Sequence, residues 1–408
     1  MVFCYAHNLY NYTNSFLILF SSIIVQFRHF SASASISYMI SLNSQIQTVQ
    51  HGGDLDEAIK RYGIAKEHWI DLSTGISPWV YPFQPLPEHV WHELPPPNDE
   101  LLACAAQYYG IKQRTIMATP GSQITIRLLP QLFQASNVAI PILGYQEHAA
   151  SWQMANHQIT PYRSAAELFE LIRKQQVEHV VVINPNNPSG EKFNLHTLEK
   201  IATKISGTCI IDEAFIDLYA NNGSNLDNND SNLDENGNNN DKKTTFDSAT
   251  KILNDHENLI ILRSVGKFFG LAGIRLGFAI GLHPNLLALN SLLQPWAISH
   301  ASQHIGIQAL KDTQWQQQQK IHIRQQQNTF KNPFKLLLNN NLKKYSTVES
   351  GLFRTVFSDK SALKELHNKL AQQAIWTRFC NENDQNSWLR FGLPNNVVEF
   401  EKHLLCLD

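Results

Sequence analysis

The chain has 408 residues, 43% of them hydrophobic and 17% charged, so it can bury a sizeable core and is not a wholly disordered chain. Its formal net charge of -2 lacks the basic excess with which proteins grip nucleic acid. The five cysteines (Cys4, Cys104, Cys209, Cys380, Cys406) are scattered without a Cys-x-x-Cys pair, so neither a disulfide framework nor a metal site is expected, and a reducing cytoplasm is the simplest compartment.

The longest apolar run, SFLILFSSIIVQF at 15–27, has 13 residues, short of the roughly 20 that a membrane-spanning helix needs. No membrane segment is expected. Small residues at 31–35 resemble a cleavage site, but the first basic residue, Arg28, follows the apolar run, whereas a secretory signal carries its charge before it. Residues 1–38 read as an extension outside the fold, with Met39 a plausible start. Residues 39–75 read as an N-terminal arm.

Short β-branched runs then alternate with segments of helical period. The strand candidates are 115–120, 137–142, 179–185, 207–215, 259–265 and 274–281. Their continuous apolar character suits strands buried on both faces. The alternation predicts an α/β fold with a mostly parallel sheet over 76–297. Residues 221–243 contain ten Asn and four Asp but only two Leu. They cannot bury enough apolar surface to offset their ordering entropy and read as a disordered insertion. Beyond 298 a long helix precedes a smaller α+β section, read as a second domain at 298–408. The glutamines at 316–319 and 325–327 read as a solvated helix face.

In a parallel sheet, ligands collect at the carboxyl ends of the strands. Ser122, Asn187, Asp212 and Lys267 each follow an apolar strand candidate. Lys267 lies in SVGKFFGLAGIRLGF (264–278), NPNNPSG spans 184–190, DEAF spans 212–215, and Arg275 comes eight residues after the lysine. Together these resemble the pyridoxal-phosphate (PLP) site of the aspartate-aminotransferase superfamily, fold type I, over roughly residues 45–405. That resemblance implies a seven-stranded, mostly parallel sheet, with PLP carried on Lys267. It implies that Asp212 faces the pyridine nitrogen and that Asn187 bonds the ring's 3-oxygen. It implies that Ser264, Arg275 and the Gly121-Ser122-Gln123 turn hold the phosphate, and that Tyr145, in PILGYQEH, stacks on the ring. A lysine suits the first role because its amine is a nucleophile that substrate can displace. Asp212 and Lys267 are 55 residues apart, and 32 without the 23-residue insertion. The superfamily's separation is about thirty, so the insertion leaves its frame intact.

HGGDLDEA (51–58), RYGI (61–64), DLSTGISP (71–78), TPGSQ (119–123) and LRFGLP (389–394) resemble the L-threonine-O-3-phosphate decarboxylases of cobalamin biosynthesis. Histidinol-phosphate aminotransferases share these motifs more weakly. The resemblance implies decarboxylation of L-threonine O-3-phosphate to (R)-1-amino-2-propanol O-2-phosphate. It makes Arg390 the substrate's carboxylate ligand and His51 and Gly52 a closing arm. Arg378, in WTRFC (376–380), becomes the candidate for the substrate phosphate. It also implies a homodimer with sites at its interface. The alternative is an aminotransferase acting on a phosphorylated substrate such as histidinol phosphate. A PLP-binding regulator would carry a DNA-binding module, which the apolar N-terminal extension cannot supply. Three positions depart from relatives: Phe215 where many aminotransferases have tyrosine, Leu94 where they have the tyrosine of Tyr-Pro, and Gly75 where some decarboxylases have asparagine.

Overall fold

The computed structural model describes residues 52–220, 246–381 and 387–405. The extension 1–38, the arm through His51 and the insertion 221–243 lie outside these residues. Every described residue belongs to one compact unit, Gln50–Asp408. Among the described residues no helix is long and apolar enough to cross a membrane.

The described chain opens with helix Leu55–Tyr62 and a short strand β1 (Ile70–Asp71). The central sheet is built from β2 (Ile116–Thr119), β3 (Asn137–Pro141), β4 (Gln158–Tyr162), β5 (His179–Ile183), β6 (Cys209–Asp212), β7 (Leu259–Ser264) and β8 (Gly277–Gly281). Its order is β2-β8-β7-β6-β5-β3-β4. Only β8 runs antiparallel to its neighbours. The sheet is therefore the seven-stranded, mostly parallel one expected, in an α/β fold.

Alternate side chains of each strand point to opposite faces. Val180, Val182, Ile211 and Ile261 join one apolar cluster, while Val181, Ile210, Ile260 and Leu262 join another. Both faces are covered, which is why these strands read as unbroken apolar runs. β4 was absent from the sequence reading. It is the edge strand, it contains Pro161, and its residues are partly exposed, so it lacks the apolar continuity of the others.

Beyond residue 298, helices His300–Lys311 and Thr313–Asn341 lead into β9 (Ser346–Ser350), β10 (Phe353–Phe357), β11 (Ile375–Trp376), β12 (Arg378–Asn381) and β13 (Ser387–Gly392). Strands β12-β13-β10-β9 form an antiparallel sheet. β11 instead pairs in parallel with β1, tying the arm to the C-terminal section. One expectation is corrected here. Gln316 and Gln319 are buried, not solvated. Gln319 Nε2 donates to Ser77 Oγ at 2.8 Å, and Gln316 Nε2 to the carbonyl of Ala309 at 2.8 Å. A buried amide is tolerated when its hydrogen bonds are met, and composition cannot reveal partners 242 residues away.

Candidate active site

Strands β2, β3, β5, β6 and β7 point the same way, so their carboxyl ends share one edge of the sheet. That edge collects Gly121-Ser122-Gln123 after β2, Tyr145 after β3, Asn187 after β5, Asp212 at the end of β6, and Ser264 and Lys267 at and after β7. Because β8 is reversed, its amino end lies on this edge too, and Arg275 just precedes it. All nine residues line one cavity of about 490 Å³. The antiparallel strand thus explains how a residue before a strand joins residues that follow strands.

Two glycines make the edge tight. Gly277 pairs with both Thr119 and Ser264, and a Cβ there would lie 2.6 Å from the Ser122 nitrogen. Gly121 has φ +76, and a Cβ on it would lie 2.6 Å from a terminal nitrogen of Arg275. The guanidinium therefore rests directly against the turn that opens helix Ser122–Leu128. Free backbone N–H groups and a guanidinium at one spot make an anion cradle.

Asp212 is 4% exposed. Its Oδ1 accepts from the backbone N–H of Ala214 at 3.0 Å, and its Oδ2 lies 2.9 Å from His148 Nε2. His148 is equally buried and was missed by the sequence reading, although it sits three residues after Tyr145 within the same quoted stretch. A lone histidine in a helix gives no spacing signal. The Tyr145 hydroxyl donates to Gln123 Oε1 at 2.8 Å, Gln123 Nε2 donates to Glu147 Oε2 at 3.0 Å, and Arg127 pairs with that carboxylate at 3.0 Å. Burial, with Glu147 and Asp212 nearby, pushes the Tyr145 pKa well up, so it stays a neutral donor.

Lys267 has its ammonium pKa lowered to about 8. Burial is the main cause, the cations Arg390 and Arg275 add to it, and Asp212 opposes it. Its Nζ lies 5.6 Å from the centre of the Phe215 ring. That ring occupies the space beside Gly75, where a Cβ would come within 2.9 Å of Phe215 Cε1. The two departures at Gly75 and Phe215 are therefore sterically one.

Arg390, on β13, is buried. It donates to Asn187 Oδ1 at 2.6 Å and to the carbonyl of Ser73 at 2.7 Å, while its Nε has no partner. Among the described residues it has no ion pair. Burial and the nearby Arg378 lower its pKa to about 10, so it remains cationic at neutral pH. Arg378 on β12 stands opposite Arg390 in the ladder. Gly52 packs on the carbonyl of Ser73, and Gly53 donates to Ser73 Oγ at 2.8 Å. The arm thus touches the residue whose carbonyl holds Arg390. His51 lies outside the described residues.

Residues 87–399 match the family model "Aminotransferase class I and II". The chain is 33% identical to threonine-phosphate decarboxylase of Pseudomonas aeruginosa over 352 residues, 85% of this chain and 93% of that protein. Among solved structures it is similar to histidinol-phosphate aminotransferase of Sinorhizobium meliloti in complex with pyridoxal-5'-phosphate (TM-score 0.68, 17% identity, 89% of this chain and 95% of the other). It is also similar to L-threonine-O-3-phosphate decarboxylase of Porphyromonas gingivalis (TM-score 0.62, 17% identity, 82% and 98%). At such identities the two structures speak for the fold alone. The family match and the Pseudomonas relative both extend over most of the chain, across the strand ends that build the cavity, and on that ground the chain belongs to the aminotransferase class I and II family.

Proposed function

We propose that the protein is a PLP-dependent decarboxylase that converts L-threonine O-3-phosphate to (R)-1-amino-2-propanol O-2-phosphate and CO2, a step of cobalamin biosynthesis. The observation that carries this reading is Arg390, a buried cation that among the described residues has no carboxylate partner, joined to the cavity through Asn187. A buried charge left this way is costly unless an anion completes it. The likeness to the Pseudomonas threonine-phosphate decarboxylase supports the choice of substrate.

The residues present fit PLP. The Gly121–Arg275 cradle suits its phosphate, and a side chain on Gly121 would fill that cradle. When bound, the cofactor supplies an electron-accepting ring that weakens the bonds at the Cα of an attached amino acid. Lys267 would hold it, because a pKa near 8 leaves part of the amine neutral and nucleophilic at neutral pH. Asp212 would keep a proton on the pyridine nitrogen, and His148 would orient that carboxylate. Asn187 would face the 3-oxygen, and Ser264 and Gln123 would complete the phosphate and ring contacts. Arg390 would bind the substrate carboxylate through its planar fork. Arg378, His51 and Gly52 would engage the distal phosphate, so that the substrate would be held at both its carboxylate and phosphate ends. Lys267 would also be the group that returns a proton to the substrate's Cα.

In this reading residues 298–408 act as the smaller domain, and the protein works as a cytoplasmic homodimer. Trp91, Leu94 and Trp296 are 68%, 66% and 57% exposed, unusual for large apolar side chains, and a second copy would cover them. Sedimentation should show a dimer, and a fully active monomer would contradict this. The test of the reaction compares threonine phosphate alone with histidinol phosphate plus 2-oxoglutarate. CO2 and the amine phosphate from the first mixture support the decarboxylase. Turnover of the second mixture alone would replace it with an aminotransferase.

A further inference from the structure

Away from the cavity, three histidines meet. His300 and His304 lie one turn apart on helix His300–Lys311, and His89 faces them from the turn Glu88–Trp91. Their ring centroids are 5.3 Å (His89–His300), 6.1 Å (His89–His304) and 5.2 Å (His300–His304) apart. One nitrogen from each can be chosen so that all three lie within 4.8 Å of one another. His300 is 8% exposed, and its Nδ1 is buried without a hydrogen-bond partner. The rings are tilted or edge-on to one another rather than stacked, and a buried imidazole nitrogen normally meets an acceptor or donor, so an orphan here requires an explanation.

We infer that His89, His300 and His304 form a binding site for a divalent transition-metal ion of the zinc class. Imidazole nitrogens are among the preferred ligands of such ions. At a Zn–N distance of about 2.1 Å, tetrahedral geometry sets ligand nitrogens about 3.4 Å apart, so small side-chain rotations would close the site. Glu100, close to His304, is paired with Lys311 at 2.9 Å. The ligand segments are already held in register, because Gln303 Nε2 donates to the carbonyls of Pro96 and Ile298 at 3.1 and 3.3 Å. With three protein ligands, the ion would keep a position for water and would pin the 88–96 segment to the helix. The site does not depend on the proposed reaction. No metal was expected from the sequence, because that reading weighed cysteine spacing and these histidines come from segments 211 residues apart.

The test is equilibrium dialysis of the untagged, PLP-loaded full-length protein against buffered micromolar Zn2+, followed by metal analysis. About one ion per chain is expected. His89→Gln, His304→Gln and His300→Ala should each weaken binding by at least the roughly 10–100-fold that loss of an outer-shell partner costs. Should the buried His300→Ala variant fail to fold, the two Gln variants still decide the matter, with retained cofactor absorbance showing that they are folded. Binding that is absent at micromolar zinc, or that all the folded variants retain unchanged, would overturn the inference.

Discussion

Arg263 on β7 and Arg390 on β13 are both buried, and they are treated in opposite ways. Arg263 pairs with Glu213 at 3.3 Å and with Asp217, donates to Ser248 Oγ at 3.1 Å, and lies 4.3 Å from the centre of the Tyr109 ring. Tyr108 donates to Asp217 at 3.0 Å, and the backbone N–H of Ala249 donates to Glu213 at 2.7 Å. Burial alone would lower the Arg263 pKa, but Asp217 and its neighbours outweigh that and raise it. Among the described residues Arg390 has an amide oxygen and a carbonyl but no carboxylate, and its pKa falls. The same strand ends feed both places: Asp212 and Ser264 line the cavity, while the adjacent Glu213 and Arg263 enter the closed network. The Nε of each guanidinium lacks a hydrogen-bond partner, so the difference lies in the carboxylates: Arg263 has two, and among the described residues Arg390 has none, which is why we propose an anionic substrate at Arg390.

This contrast predicts separable effects. Arg263→Met should be the most damaging to the fold, lowering unfolding free energy by about 3–5 kcal/mol, because two carboxylates lose their buried partner. Chemical denaturation measures it, and a loss below about 1 kcal/mol would break the comparison. Arg390→Ala should leave the fold largely intact and lower kcat/KM for threonine phosphate by about 2–4 kcal/mol. Arg390→Lys should recover only part, since a point charge lacks the fork.

A third prediction uses pH in the cofactor-free protein. The Lys267 pKa falls from its ordinary 10.5 to about 8. Between those values the unfolded chain binds the extra proton, so stability rises with pH across that window. Lys267→Met should therefore stabilise the cofactor-free protein by about 3 kcal/mol near neutral pH, a gain that shrinks from pH 8 toward 10.5. Thermal or urea unfolding at several pH values reads it, and a pH-independent gain would contradict it. The smallest effect concerns Gly75→Ala, whose methyl would crowd Phe215 at 2.9 Å and Phe353 at 3.3 Å. It should cost about 1 kcal/mol, relieved when Phe215 is also replaced by Leu.

Much of what gathers in the candidate cavity was legible because these residues sit next to strands that announce themselves. Lys267, Asp212, Asn187 and Ser122 each follow a run of buried β-branched residues, and Arg275 keeps a fixed distance from the lysine. What was not legible depends on contacts between distant segments. His148 becomes meaningful only through Asp212, 64 residues away. The link from Gly52 through Ser73 to Arg390 joins the arm to β13 across more than 300 residues. The glutamines at 316 and 319 looked solvated because composition registers polarity and not satisfied hydrogen bonds. The edge strand β4 was lost for the converse reason, since half-exposed residues and a proline dilute the apolar signal.

The central claim is that Arg390 is completed by the substrate's carboxylate. The most direct measurement is the affinity of the PLP-loaded wild type and of Arg390→Ala for two ligands: L-threonine O-3-phosphate, which has the carboxylate, and (R)-1-amino-2-propanol O-2-phosphate, which lacks it. Substrate affinity is taken from presteady-state binding, before turnover. The account predicts that Arg390→Ala weakens the first on the order of 30-fold or more and leaves the second within about threefold. Equal losses for both ligands would show that Arg390 supports the site as a whole and would contradict its assignment as the carboxylate anchor.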